Sequence, residues 1–374
     1  MDVIPYGRQS VDREDVERVA GAVAGEWLTQ GPGVAAFEEA LAEVCDVPYA
    51  VAFSSGTAAL HGAAFAAGLT PGDTLLTSAL TFAASANCGV YLGAEPAFAD
   101  IDPATLNMSA ETATAVPAKA VVPVDFAGLP APVDEIRATL GDDVALIQDA
   151  SHSLGARHDD GRPVGCCDHV DMTTFSFHPV KPVTSAEGGM VTTRSEELAD
   201  RLRRFRTHGF VRESERLRRG DEGAWYHEQH DLGFNYRLSD LHSALGLSQL
   251  RRLEEFVERR NQVAERYRAA LADVPSVELP PAAPPGGLHG YHLFVIRHAE
   301  RRRLYDALRA EGILAQVHYL PVYWHPYYMD RYGFREGLCP EAEAYYRSCL
   351  SLPCFPGLGE DDQQRVIDAV RRLA

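Results

Sequence analysis

Residues 49–69, YAVAFSSGTAALHGAAFAAGL, set the fold class of this 374-residue chain. The run YAVAFSS is short, apolar and uninterrupted, which is typical of a buried strand, and GTAALHGAAFAAGL has the pattern of a helix that follows it. The alternation continues, with a helix predicted over residues 81–93 and strands over residues 73–79, 95–101, 119–126, 144–150, 172–178 and 188–193. Short buried strands alternating with helices predict an α/β fold, in which a mostly parallel sheet carries helices on both faces.

The segments on either side complete the predicted organisation. Helices are predicted over residues 11–24 and 34–45, with the breaker WLTQGPG between them. After about residue 250 the pattern changes, and this part is predicted to hold helices over residues 251–271, 301–312 and 363–374 and strands over residues 291–298 and 315–321. We therefore predict a large domain over residues 1–250, which includes the N-terminal segment, and a smaller α+β domain over residues 251–374.

Charge and composition exclude several classes of function. The chain has 35 basic and 53 acidic residues, a formal net charge of −18, whereas nucleic acids and anionic membranes require a basic surface. No apolar run approaches the ~18 residues of a membrane-spanning helix, and the N-terminus MDVIPYGRQSVDRED lacks a signal-peptide pattern. We therefore expect a cytoplasmic protein that binds neither nucleic acid nor membrane.

Disulfide, metal and dinucleotide sites are not indicated either. The seven cysteines are scattered without a CxxC pair and the histidines are dispersed, so we expect reduced thiols and no metal. Residues 31–36, GPGVAA, mimic the glycine-rich dinucleotide-binding fingerprint. That fingerprint must follow a strand, and here a helical pattern precedes it.

Two predicted strand ends carry residues that suit cofactor chemistry, because ligands of such sheets bind beyond the carboxyl ends of the strands. SSGTAAL (54–60) opens a helix whose free N–H groups can bind a phosphate, although an N-cap in a tight turn also explains it. VALIQD ends in Asp149, a carboxylate that is costly to bury without a partner such as a pyridinium nitrogen. An N-cap or a structural ion pair is the alternative for Asp149.

A third strand end, FSFHPVKPVTSAEGG (175–189), places Lys181 between an apolar segment and a Gly-Gly turn. Partial burial lowers the pKa of an amine and makes it a Schiff-base nucleophile. A lone lysine is usually a surface residue, so Lys181 by itself decides nothing. Only the three strand ends taken together favour a covalent cofactor site.

The chain resembles a known family in four motifs: GTAAL (56–60), QDASHSLGA (148–156), SFHPVKPVTSAEGG (176–189) and GFNYRLSDLHSALG (233–246). Their order and spacing are similar to those of the DegT/DnrJ/EryC1/StrS sugar aminotransferases, and the likeness runs from IPYGRQ (4–9) to LSLPCFPGL (350–358). The resemblance implies the type I fold of transferases dependent on pyridoxal 5′-phosphate (PLP), which is aspartate aminotransferase-like. It also implies a homodimer with two active sites at the subunit interface.

The resemblance also implies roles for individual residues. Lys181 is expected to bind PLP covalently and, with Asp149 at the pyridine nitrogen, to be catalytic. The other expected cofactor contacts are His152 near the ring and its phenolic oxygen, Phe82 stacked on the ring, Gly56, Thr57 and Ser176 at the phosphate, and Asn235 at the phosphate of the neighbouring subunit. Relatives that dehydrate deoxysugars carry histidine at the lysine position, so Lys181 favours transamination.

The implied reaction is ping-pong. Glutamate gives its amino group to the cofactor and leaves as 2-oxoglutarate, pyridoxamine phosphate remains as the intermediate, and a nucleotide-linked keto sugar then receives the amine. Stretches such as VDFAGLP and QVHYLPVYWHPYY resemble the branch that aminates C4 of UDP-linked 4-keto-6-deoxy hexoses in the pseudaminic-acid pathway. The alternatives are the arabinose-aminating enzymes of lipid A modification, a C3-keto sugar or scyllo-inosose-type cyclitol of secondary metabolism, and a non-catalytic PLP-binding regulator.

Substrate contacts are predicted for Arg237, His318 and Tyr319, with packing or surface pairing in the small lobe as the alternative. Two positions depart from the family pattern. Gln148 stands where many relatives have glutamate, and Asp125 stands where others often have histidine. Since both are expected near the cleft, they favour a different acceptor as a further possibility.

Overall fold

The computed structural model describes residues 3–374. The strands are β1 (Ile4–Pro5), β2 (Tyr49–Phe53), β3 (Thr74–Ser78), β4 (Glu95–Ala99), β5 (Ala120–Val122), β6 (Ala145–Asp149), β7 (Met172–Ser176), β8 (Gly189–Thr193), β9 (Phe210–Val211), β10 (Glu228–Gln229), β11 (Phe294–Arg297), β12 (Ile313–Leu314) and β13 (Cys349–Leu352). The helices are α1 (Arg13–Ala24), α2 (Pro32–Val44), α3 (Gly56–Ala66), α4 (Ala84–Val90), α5 (Val133–Leu140), α6 (Glu196–Phe205), α7 (Asp240–Leu250), α8 (Leu253–Leu271), α9 (Arg301–Ala310), α10 (Pro326–Tyr332), α11 (Pro340–Ser348) and α12 (Glu360–Leu373).

The central sheet has seven strands in the order β2-β8-β7-β6-β5-β3-β4. The pairs β3–β4, β3–β5, β5–β6 and β6–β7 are parallel, and β8 runs antiparallel to both of its neighbours. Alternate residues of each strand face opposite helix layers, as Val51 packs with α3 and α6 whereas Ala50 and Ala52 pack with α2. The predicted α/β fold, mostly parallel with helices on both faces, is confirmed.

Local signals begin the helices where the sequence places them. Asp12 caps α1 in a reciprocal capping box with Asp15, and Ser55 caps α3 by accepting a hydrogen bond from the backbone N–H of Ala58 at 3.1 Å. Pro32 at the first turn of α2 has no N–H to leave unpaired. The first of these caps lies far from the sheet ends, whereas the Ser55 cap places the start of α3 directly at one.

The C-terminal part packs around a separate core. The antiparallel pair β11–β13 is covered by α8, α9 and α12, which contribute Tyr267, Leu304 and Val366. The N-terminal strand β1 joins this core, because Ile4 pairs with Ile313 of β12. The domain boundary at residues 250 and 251 stays a prediction.

The strand predicted over residues 315–321 is wrong. Pairing in this region is confined to β12, two residues earlier, and to an isolated bridge between Gln316 and Ser351. The chain then leaves the ladder, because the His318 ring turns to Ser351 Oγ at 2.7 Å and the Tyr319 hydroxyl reaches the ring of His152 at 3.2 Å. One side-chain contact with β13 and one with the turn after β6 have replaced strand pairing.

Two further findings concern the whole described chain. Within residues 3–374, no helix combines the length and the apolar character needed to cross a bilayer. All seven cysteines are buried free thiols.

A buried arginine links the elements of the C-terminal core. Arg260 of α8 is 1% exposed, and its Nη1 donates to the carbonyl oxygens of Tyr291, His292 and Cys354 at 3.1, 3.3 and 2.8 Å. It forms no ion pair with any residue of the described chain, and burial lowers the pKa of its guanidinium. Three carbonyls from two segments therefore depend on one cation.

We expect Arg260→Met to lower the free energy of unfolding by roughly 3 kcal/mol, because three buried carbonyls lose their donor. The measurement is chemical denaturation followed by fluorescence. The control is Arg266→Met on the same helix, where the guanidinium binds the carbonyl of Glu360 and the side chain of Gln364 near the surface. A loss no larger than that of the control contradicts the role given to Arg260.

Candidate active site

A cavity of about 430 Å³ opens at the carboxyl edge of the parallel strands. It brings together most of the residues predicted from the sequence: Gly56, Thr57, Phe82, Asp149, His152, Ser176, Lys181, His318 and Tyr319. Segments that are far apart in sequence therefore converge on one space. Tyr6, Ser151, His178, Glu187 and His292 also line it.

One end of the cavity is formed by the start of α3. The first N–H groups of a helix have no partner within the helix, and here they stand beside the hydroxyls of Thr57 and Ser176. A Cβ on Gly56 would lie 2.7 Å from the Cβ of Ser176, so only glycine lets the helix start come this close to β7. Helix N–H groups with two hydroxyls are a donor set that suits a phosphate dianion.

The close packing around the start of α3 also depends on a second glycine, Gly189. Gly189 pairs with Phe53 at the end of β2 and with Ser176 at the end of β7. A Cβ there would lie 2.3 Å from the carbonyl oxygen of Ser55. Glycine at position 189 is thus required for β8 to pass this close to the turn that opens α3.

Asp149 at the end of β6 is 5% exposed, and hydroxyls hold both of its carboxylate oxygens. Oδ1 accepts from Ser151 Oγ at 2.6 Å and from the Ser151 N–H at 3.1 Å, and Oδ2 accepts from Ser85 Oγ at 2.7 Å. The carboxylate forms no ion pair with a cation of the described chain. A carboxylate oriented in this way into a cavity is suited to a cationic ring nitrogen.

Lys181 follows β7 in a turn, where its N–H donates to the carbonyl of His178 at 2.9 Å. Burial lowers the pKa of its amine to about 8, although the charge of Asp149 opposes the shift. It forms no ion pair within residues 3–374. An amine with this pKa exchanges its proton near neutral pH and is a good Schiff-base nucleophile.

Uncharged aromatic rings form the wall beside Lys181. The Tyr319 hydroxyl lies 3.2 Å from His152 Nε2, and the rings of His152 and His292 are 4.4 Å apart. Burial, with a smaller effect from the Lys181 charge, lowers the pKa of His318 to about 3, and it lowers the pKa of His152 and His292 well below the usual range. The imidazoles are therefore neutral at neutral pH.

Phe82 is 61% exposed at the cavity. An exposed aromatic ring at a cavity is suited to stacking on a flat ligand ring, and the stacking role of Phe82 stays a prediction.

Comparisons with known proteins agree with this geometry. The model of the DegT/DnrJ/EryC1/StrS aminotransferase family matches residues 9–371. The chain belongs to this family. The aminotransferase is 38% identical over 381 residues to the spore coat polysaccharide biosynthesis protein SpsC of Bacillus subtilis strain 168, with 99% of this chain and 97% of SpsC covered.

Solved structures of similar proteins share the fold. Helicobacter pylori PseC, an aminotransferase involved in the biosynthesis of pseudoaminic acid, superposes with a TM-score of 0.91 at 29% identity, covering 100% of this chain and 99% of PseC. DesV from S. venezuelae, in complex with a ketimine intermediate, gives a TM-score of 0.88 at 29% identity, covering 100% and 98%. The predicted type I fold of PLP-dependent transferases is confirmed for this aminotransferase.

Two predicted site residues lie outside the cavity of their own protomer. Asn235 is exposed and bridges to Thr207 in the segment that follows α6. Arg237 lines a separate pocket with Glu38 and Arg206. Neither residue lines the cavity that holds Lys181, so their roles in the aminotransferase stay predictions.

Several lining residues were missed because nothing local marks them. His292 lies in a predicted strand of the small lobe, and His178 and Glu187 lie in the lysine motif without a role of their own. Ser151 was the one with a usable signal, since a serine two residues after a strand-end aspartate commonly bonds to that carboxylate.

Asp125 and Gln148, the two departures from the family pattern, lie next to the cleft but outside its lining, since their chain neighbours Val124 and Asp149 line it. Both side chains are buried outside the cavity lining, and Gln148 Nε2 donates to both oxygens of Asp125 at 3.0 Å. Ser153 Oγ and the N–H of Ala131 also donate to Asp125. This network anchors the turn that carries His152, and burial raises the pKa of Asp125 to about 7.

A raised carboxyl pKa means that the folded state holds the proton more tightly than the unfolded chain. The stabilisation is present at low pH and is lost as the pH rises through about 7. We expect the stability of Asp125→Asn relative to wild type to increase from about pH 5 to pH 8, by up to ~1.4 kcal/mol per pH unit. Urea denaturation at each pH measures it.

Asp142→Asn makes the same chemical change at an exposed position and is the control. The proton exchange at Asp125 is contradicted if the difference in stability between Asp125→Asn and wild type stays constant over this pH range.

Proposed function

We propose that this protein is a PLP-dependent aminotransferase that moves the amino group of L-glutamate to the keto carbon of a nucleotide-linked 4-keto-6-deoxy sugar. One observation carries the proposal. Lys181, half-buried with a lowered pKa and no ion pair, shares a cavity with the carboxylate of Asp149 and the glycine-opened start of α3. Membership of the aminotransferase family supports the same reaction class.

The residues present fit PLP. The helix start with Thr57 and Ser176 would hold the phosphate, Phe82 would cover the ring, and Asp149 would face the pyridine nitrogen. PLP, when bound to Lys181, supplies an electron sink for a negative charge that develops on the substrate carbon. His152, with its Nδ1 unpartnered within the described chain, would lie near the phenolic oxygen.

Lys181 then acts as the proton carrier. Its Nζ takes a proton from the α-carbon of the donor in one half-reaction and delivers a proton to the former keto carbon in the other. A pKa of about 8 suits both directions, because neither protonation state is strongly favoured near neutral pH. Burial holds the pKa of His152 and of His292 well below the usual range, so these imidazoles are too weakly basic to compete with Lys181 for the proton.

The proposed order is ping-pong, in which glutamate and the keto sugar occupy one cavity in turn. The acid–base groups gathered around Lys181 in that cavity support this order. Each half-reaction returns Lys181 to its starting protonation state.

The acceptor is proposed from the likeness to two relatives. PseC is involved in the biosynthesis of pseudoaminic acid, and SpsC in that of a spore coat polysaccharide. Together with the motifs of the C4-aminating branch, they favour amination at C4 of a UDP-linked sugar over a C3-keto sugar or a cyclitol.

A homodimer is part of the proposal. Asn235 and Arg237 lie outside the cavity of their own protomer, and the segment that carries them exposes the apolar side chains of Trp225 and Leu232. A second copy that covers this segment would receive Asn235 at its phosphate site and Arg237 near its substrate.

The covalent link can be tested cleanly because the chain has only two lysines, Lys119 and Lys181. After borohydride reduction of the protein with PLP, we expect peptide mass spectrometry to find the pyridoxyl group on Lys181 and none on the exposed Lys119. Lys181→Ala should reduce glutamate-dependent amine transfer at least about a thousandfold, and Lys119→Ala should retain it. Label on Lys119, or turnover by Lys181→Ala, contradicts the mechanism.

A panel of 4-keto and 3-keto nucleotide sugars, each incubated with the protein, PLP and glutamate, tests the acceptor. We expect 2-oxoglutarate to form in amounts equal to an amino sugar only with a UDP-linked 4-keto-6-deoxy hexose. Preference for a 3-keto sugar would reassign the acceptor, and a bound cofactor that glutamate leaves spectrally unchanged would favour the non-catalytic alternative.

A further inference from the structure

Two serines from different parts of the chain donate hydrogen bonds to Asp149. Ser151 is two residues away in the same turn, whereas Ser85 comes from α4, in the connection between β3 and β4. Ser85 is 0% exposed, and its Oγ lies 2.7 Å from Oδ2 of the carboxylate. A buried hydroxyl brought from another element to one oxygen of a cavity carboxylate restricts the rotation of that carboxylate.

The direction of the hydrogen bonds follows from the donors available. Around Ser85 Oγ stand Asp149 Oδ2, the carbonyl oxygen of Phe82 at 3.2 Å and Thr81 Oγ1 at 2.7 Å. An ionised carboxylate and a carbonyl can only accept, and a hydroxyl has one proton. If Ser85 donates to Asp149, Thr81 must donate to Ser85, which gives a chain from Thr81 through Ser85 to Asp149.

The same serine also touches the segment that carries Phe82. Both the N–H and the hydroxyl of Ser85 lie 3.2 Å from the carbonyl oxygen of Phe82. Ser85 therefore joins the residue expected to cover the cofactor ring to the residue expected to face its nitrogen.

We propose that Ser85 is a positioning residue for Asp149, whose hydroxyl sets the angle at which the carboxylate meets the pyridine nitrogen of PLP. The proposal rests on the PLP-dependent function proposed above. Ser85 lies outside the residues that line the cavity, so it acts through Asp149 and not on the cofactor directly.

The test compares Ser85→Ala with wild type in equilibrium binding of PLP to the apo-protein. Hydrogen bonds to charged groups are among the stronger ones in proteins, so we expect the dissociation constant to rise about ten- to hundredfold. The visible absorption of bound PLP should also titrate at a different pH, because the carboxylate sets the charge preference of the ring nitrogen. Cysteine is nearly isosteric with serine and is a weak donor, so the dissociation constant of Ser85→Cys should fall between those of wild type and Ser85→Ala.

Ser78→Ala is the matched control. Ser78 is also buried, and its hydroxyl bonds to the backbone of Leu80 without contact to Asp149. We expect it to leave both the dissociation constant and the absorption titration as in wild type, and the two alanine variants to show similar thermal stability without PLP.

A double-mutant cycle separates positioning from general packing. In an Asp149→Ala background, Ser85→Ala should have no further effect on PLP binding, because the group it acts through is absent. The proposal is overturned if Ser85→Ala binds PLP with unchanged affinity and absorption. It is also overturned if Ser85→Ala still weakens PLP binding in the Asp149→Ala background. If wild type itself takes up no PLP, the proposed function fails instead.

Discussion

The parallel pairing of β5, β6 and β7 is the constraint on which the site depends. In the β6–β7 register Gln148 lies opposite Thr173 and Asp149 opposite Thr174, so both strands end at one edge of the sheet. The antiparallel strand β8 then closes the gap to β2, because Gly189 pairs with Phe53 on one side and Ser176 on the other. The turn before α3, the carboxylate of Asp149 and Lys181 meet at one cavity because these strand ends lie level with one another.

Electrostatics inside the cavity follow from this arrangement. Lys181 and Asp149 are opposite charges in a poorly hydrated space, and the histidines around them are neutral because burial opposes their protonation. The protein thereby concentrates its acid–base chemistry on one amine. Its net charge of −18 does not prevent binding of a phosphate, since helix N–H groups and hydroxyls act at contact distance, whereas the surface charge is screened.

The C-terminal core supplies one side of the cavity wall. The loop that replaces the predicted strand contributes His318 and Tyr319. His292 lies just before β11, and Arg260 donates hydrogen bonds to the carbonyl oxygens of Tyr291 and His292. The N-terminal residue Tyr6 completes this side, since β1 packs on the same core. Stability of the small core and geometry of the site are therefore coupled through backbone hydrogen bonds.

The sequence by itself determined the α/β alternation, the family, and the candidate residues Lys181, Asp149, Gly56 and Ser176, because each belongs to a local pattern at a strand end. It mispredicted residues 315–321 as a strand. Only the tertiary structure decided that Ser85 bonds to Asp149, that the ring of His292 packs against that of His152, and that Asn235 lies outside the cavity lining. The reason is physical: contacts between segments 64 or more residues apart depend on how helices and strands pack, which no local pattern of residues encodes.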